Sequence, residues 1–150
     1  ARPMSTMRWD DVARLIDGCG PGHLATASPT GQPHVSIVFA ARDGSTLWIA
    51  ARTKSGKVAN LRRNPQASMM WQGNSAETYV WGNARLVDDA AAKQHAWGSG
   101  LFPYDMAGFF SSADSPDWLL VEVTPTRAVA MVQTDTGLER RTWSVGSTHS

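Results

Sequence analysis

The residues best equipped for chemistry cluster at 51–57, where Arg52, Lys54 and Lys57 bring positive charge, Thr53 and Ser55 bring hydroxyls, and Gly56 removes side-chain bulk. The segment follows a β-rich run at 46–51 and opens a helical pattern at 56–63 in which Val58 and Leu61 face inward. A strand that ends where a helix begins turns unpaired backbone N–H groups and the positive end of the helix dipole towards one point. With cations and hydroxyls added, that point suits one phosphate or carboxylate. The same residues also read as a capped surface helix with solvated basic side chains. Lysine is scarce, with three against eleven arginines, so the near-adjacent Lys54 and Lys57 stand out.

Other chemistries lack their residues. There is no G-x-S-x-G elbow, and His23, His34, His95 and His149 are scattered without metal-ligand spacing. No G-x-G-x-x-G follows a strand, which argues against a Rossmann-type dinucleotide site. Cys19 is the single cysteine, so neither an internal disulfide nor a cysteine-based zinc site is expected, and it reads as a small hydrophobe. The formal net charge of +1 is too balanced for the broad basic field of a nucleic-acid binder. Apolar runs such as 35–41 and 118–123 fall well short of the roughly twenty residues that cross a bilayer. Without a basic region and apolar run at the start, the expected location is the cytoplasm.

The elements that must position the basic cluster follow from the pattern of apolar residues and breakers. Trp9, Val12, Ala13, Leu15 and Ile16 recur at helical spacing and predict a short helix over 9–17, stopped by the glycines of 18–22. Runs at 23–28 and 33–41, split by a Gly-containing turn, predict a hairpin, and a second turn at 42–45 leads to the strand at 46–51. These three strands are expected to form an antiparallel meander. The helix over 56–63 ends at Asn64, because a residue before proline is disfavoured in helical conformation.

Runs at 67–72 and 77–87 predict a second strand pair, with Gly82 at a bulge or close backbone approach. Asp88 and Asp89 then cap a helix reaching Trp97. Residues 98–115, rich in Gly, Ser and aromatics, are expected as a flap or short helix, and 117–124 and 127–133 as two final strands linked by Pro125. Beyond Thr134 the pattern is lost, although Trp143 is suited to anchoring the tail on a partner. Six to seven short strands with a few helices predict one mainly β domain, an antiparallel barrel, within 150 residues. Seven tryptophans are many for such a chain and suit a surface that buries a flat ligand or a second subunit.

In order and spacing these pieces resemble the flavin-binding split β-barrels of the pyridoxamine 5'-phosphate oxidase-like family. The resemblance is carried by the strand at 46–51, the Arg52 to Lys57 segment, and the run at 60–65 before another strand. The opening hairpin at 24–34 and the segment 81–89 agree with it. Trp97, Phe102, Pro103 and the run 114–117 are similar to the general-stress-protein branch. The resemblance spans roughly residues 10 to 133.

What the resemblance implies is a homodimer of split barrels with FMN in grooves between subunits. His34, Val35, Ser36 and Ile37 would run along the ring, Ala50, Ala51, Arg52 and Thr53 would flank the ribityl chain, and Arg52, Ser55 and Lys57 would grip the phosphate. Trp81 would either reach the partner's cofactor or simply pack. Relatives that use the deazaflavin coenzyme F-420 offer an alternative, with Arg62 and Arg63 available for its acidic tail. The pyridoxamine phosphate reaction itself is not expected, since 134–150 holds only Arg140 and Arg141 as basic residues. The implied activity is an FMN- or deazaflavin-dependent oxidoreductase that passes hydride to or from a small planar, conjugated substrate. No catalytic residue is assigned. Phe102, Tyr104, Phe109 and Phe110 either cover that substrate or close the barrel end. A non-catalytic flavin-binding or storage protein would need the same residues.

Overall fold

The computed structural model describes residues 5–146, so His149 lies outside the described part. In chain order the elements are β1 (Ser5–Thr6), α1 (Trp9–Ile16), β2 (Gly22–Ala27), β3 (Pro33–Val38), β4 (Ala41–Asp43) and β5 (Thr46–Arg52). There follow α2 (Gly56–Arg63), β6 (Gln66–Gly73), β7 (Ala76–Val87), α3 (Ala90–Gly98), a 3₁₀ turn (Met106–Gly108), β8 (Trp118–Thr134) and β9 (Gly137–Ser144).

Antiparallel pairing runs β3-β2-β6-β7-β8-β5-β4, so the consecutive strands β3 and β4 sit at opposite ends of the path. The sheet therefore curls until its ends are linked through Phe39 and Ala40 alone, with no ladder between β3 and β5 among the described residues. This is a split barrel, as the sequence led us to expect. The meander is corrected: β5 pairs with β8 from Leu47↔Val123 to Arg52↔Trp118 and, on its other edge, with the three-residue β4, but not with β3. Alternation explains the choice, since Leu47, Ile49 and Ala51 all point into the barrel when β5 lies beside the apolar run of β8.

Two further corrections concern the C-terminal part. The expected pair of strands around Pro125 is one 17-residue strand, β8. Its register shifts where Trp81 faces Arg127 but Gly82 faces Pro125, and a β-carbon on Gly82 would stand 2.5 Å from the Thr124 carbonyl oxygen. The bulge bends β7 and β8 together and tolerates Pro125, so the chain turns a corner without leaving the sheet. The expected tail also contains a strand, β9, paired to β8 and flanked by the parallel β1. Trp143 packs on Trp9 of its own chain, ring centroids 5.0 Å apart. With β1, β9 and the three-residue β4, the described residues hold nine strands instead of six or seven.

The barrel core combines Leu24, Leu47, Ile49, Val80, Val121 and Val123 with Val12 of α1 and Val58 and Leu61 of α2. A second cluster forms outside the barrel, where α3 and the flap lie on the outer face of β5 and β8 around Phe102, Met106, Phe110 and Trp118. No helix among the described residues is long and apolar enough to cross a membrane.

Candidate functional site

The end of β5 and the start of α2 bring together the residues singled out in the sequence as a candidate anion site. Ser55 is the N-cap: its Oγ accepts from the Val58 amide at 3.4 Å, and its own hydroxyl donates to the Arg52 carbonyl at 2.8 Å. Among the described residues the amides of Gly56 and Lys57 find no partner at the positive end of the helix. Lys57 is half-buried and makes no hydrogen bond or ion pair among the described residues. Burial, and after it the charge of Arg52, holds its ammonium below the usual lysine range. A partly buried cation without a counter-charge, beside free helix amides, is an arrangement that suits an anion.

A cleft of about 250 Å³ opens at this point, lined by Arg52, Ser55 and Lys57, by Ala50 and Ala51 of β5, by Ile37 to Phe39, and by Tyr104, Phe109 and Phe110 of the flap. One end is cationic and the remainder is apolar and aromatic, the lining expected for a flat ring carrying a phosphate tail. Burial pushes the Tyr104 phenol above its ordinary range, and its ring stands edge-on to Phe39 and Phe109 at 6.1 and 5.1 Å.

The other residues singled out from the sequence are distributed around the cleft. His34 reaches the start of α2, its Nε2 3.4 Å from where a Gly56 β-carbon would lie, so Gly56 leaves room for the imidazole. Ser36 Oγ is buried without a hydrogen-bond partner. Thr53 faces the flap, donating from its amide to the Asp117 carbonyl at 3.0 Å and from Oγ1 to the Pro116 carbonyl at 2.8 Å. Val35 and Trp81 line a separate shallow hollow on the outer face of β2, β6 and β7, where the Arg127 guanidinium lies 3.8 Å above the Trp81 ring. Of the four flap aromatics, Phe102 and Phe110 are buried, while Tyr104 is half-buried and Phe109 exposed. Phe39 and Val38 were not foreseen as cleft residues. They lie at and just beyond the end of β3, and it is the closure of the path between β3 and β4 that sets them beside β5 and α2. Among the described residues no three His, Cys, Asp or Glu side chains converge on a metal-sized point.

The comparison with known families decides what kind of split barrel this is, because the model of the pyridoxamine 5'-phosphate oxidase family matches residues 9–131. The chain belongs to that family. Within it, general stress protein 26 of Bacillus subtilis is 25% identical over 120 residues, covering 76% of this chain and 81% of the relative. Among solved structures of similar fold, an F420 reductase is 26% identical, with a TM-score of 0.62 and coverage of 77% of this chain and 93% of its own. A pyridoxamine 5'-phosphate oxidase-related, FMN binding protein from Nostoc punctiforme PCC 73102 is 15% identical, with a TM-score of 0.58 and coverage of 93% and 95%. The family match includes the cradle, the cleft and the flap.

The unsatisfied groups at the cleft fit a phosphorylated flavin. Lys57 and the Gly56 and Lys57 amides, which have no partner among the described residues, ask for an anion. An anion beside Lys57 would raise the lysine's depressed pKa, so binding should be accompanied by proton uptake in alkaline solution. As pH rises through the lowered free-state pKa, the ammonium is lost and affinity for a phosphate should fall. Calorimetric titration in two buffers of different ionisation enthalpy checks this, with Lys57→Gln expected to abolish the buffer dependence.

Proposed function

We propose that the chain is a cytoplasmic homodimeric oxidoreductase that holds FMN, with the phosphate at Arg52, Ser55, Lys57 and the start of α2 and the ring along β3. The observation that carries this reading is Lys57, a half-buried cation without a counter-ion among the described residues in a cleft lined by aromatic side chains. When bound, the ring would supply hydride chemistry to a small conjugated molecule. The protein's part is to hold, orient and cover. Ser55 and the helix amides bind, Lys57 neutralises, the backbone of β3 from His34 to Ile37 offers hydrogen bonds to polar ring edges, and Tyr104 and Phe109 give a planar substrate an apolar wall.

The dimer reading rests on β3. It ends the pairing path as an edge strand, and Val35, Ile37 and Phe39 on one of its faces are 66%, 65% and 46% exposed. An exposed apolar edge of this kind invites a second chain, and the cleft in one chain is at the small end for a cofactor site. Ile37→Asp should therefore shift the assembly towards monomer and weaken FMN binding at the same time. Sedimentation velocity with a parallel flavin titration tests it, and a wild-type chain that sediments as a monomer at micromolar concentration would sink the shared-groove reading.

A second cofactor has a specific observation in its favour, the likeness to an F420 reductase at 26% identity. In that reading the same cradle takes the deazaflavin coenzyme's phosphate, and Arg62 and Arg63, exposed on the last turn of α2, take its acidic tail. The deciding experiment is an absorbance spectrum of the purified protein, followed by titration with FMN, riboflavin and the deazaflavin coenzyme. Turnover then separates enzyme from carrier: an enzyme's bound ring is reduced by an external donor and reoxidised by substrate, whereas a storage protein's ring does not cycle. Failure of every phosphorylated coenzyme to bind would refute the proposal.

A further inference from the structure

The flap, residues 101–117, is fastened to the strand beneath it at several points. Thr53 holds its end through the Pro116 and Asp117 carbonyls, and Trp118 Nε1 donates to the Ser112 carbonyl at 3.0 Å. Nearer the cleft the anchor is Arg52, whose Nη2 donates to the Phe109 carbonyl at 3.0 Å while its guanidinium carbon lies 5.4 Å from the Phe110 ring centroid. Arg52 is thus both a cradle residue and a fastening of the aromatic wall. A guanidinium carries five N–H donors in one plane, and among the described residues the Phe109 carbonyl is the hydrogen-bond acceptor of the Arg52 side chain. It can donate to an anion and to Phe109 together. A lysine at this position, with one compact charge on a flexible stem, cannot span both in a fixed geometry.

We propose that Arg52 is a positioning residue that ties flap order to phosphate occupancy: a phosphate held between Arg52 and Lys57 fixes the guanidinium and, through the Phe109 carbonyl, the wall of Tyr104, Phe109 and Phe110. This rests on the phosphate cradle proposed above. Without an anion, Arg52 and Lys57 are adjacent like charges, and the exposed Arg52 side chain is free to exchange its carbonyl partner for water. With one, the same contact becomes part of a charge-assisted network. A flat ligand without a phosphate fills the cleft but does not set the latch.

Hydrogen exchange read by mass spectrometry on peptides covering 101–112 tests this in three states of the wild-type protein: free, saturated with riboflavin and saturated with FMN. The expected result is flap exchange slowed roughly five-fold more by FMN than by riboflavin. Arg52→Lys should still bind FMN but lose that difference. Equal protection by the two flavins in wild type, or an undiminished difference in Arg52→Lys, overturns the latch and leaves the phosphate site standing. If FMN does not bind, as its unshifted visible spectrum would reveal, the latch and the proposed function fall together.

Discussion

Lys57→Ala should bind FMN about 1.5–3 kcal/mol more weakly than wild type, the loss expected for one charge-assisted contact to phosphate, or roughly 10- to 150-fold in Kd. The expectation follows from geometry. Lys57 stands in the cleft with Arg52 and Ser55, half-buried and without a counter-charge, next to two helix amides that also lack partners. Riboflavin, which has the ring but no phosphate, should bind the variant and the wild type alike. Lys57→Arg should recover part of the loss, since charge is kept while the donor geometry changes. Fluorescence quenching titrations with both flavins measure all of these. An unchanged FMN affinity in Lys57→Ala would place the phosphate elsewhere and leave the lysine a surface charge.

Trp118→Ala should cost about 3–5 kcal/mol of folding stability, the range for truncating a large buried aromatic. That is a large share of the roughly 5–15 kcal/mol that holds a domain together. Trp118 is fully buried at the start of β8, stacks on Phe110 with ring centroids 5.3 Å apart, and touches Trp97 of α3 at 5.9 Å. Its Nε1 donates to the Ser112 carbonyl, and the buried Lys93 places its ammonium 4.9 Å from the Trp118 ring while donating to the Ser115 carbonyl at 2.7 Å. Truncation would open a cavity, orphan a carbonyl and remove the face against which a buried cation rests. Trp118→Phe keeps the stacking and should cost less. Urea denaturation followed by far-UV circular dichroism reads the difference, and a loss below about 1 kcal/mol would mean that the outer cluster contributes little to folding.

Much of this arrangement was legible because local rules and tertiary packing agree. The helix at 56–63 was foreseen to the residue, because Ser55 caps it and Pro65 follows its end. The Gly82 bulge was legible because glycine inside a strand signals close backbone approach, and the Thr124 carbonyl supplies it. What failed was pairing. Nothing local in the run 46–51 says that β8 is its long partner and that only the three-residue β4 lies on its other edge. Pro125 reads as a break until the bulge opposite it is known, and the polar residues of β9 hide a strand that needs only one apolar face. At the candidate site the basic cluster was visible in its spacing. The approach of His34 to Gly56 and of Phe109 to Arg52 was not, because residues 22 and 57 apart meet only when the barrel closes.

The short parallel pair of β1 with β9 sets Ser5 beside Arg141 and lets the Met7 amide donate to the Thr142 carbonyl. A ladder between residues so distant along the chain cannot form while the ribosome still holds the later one. At about 5–20 residues added per second, Ser5 waits roughly 7–27 s for Arg141 to be made. Stopped-flow refolding followed by tryptophan fluorescence should likewise find the Trp9–Trp143 contact among the last changes to develop, because it closes so long a loop.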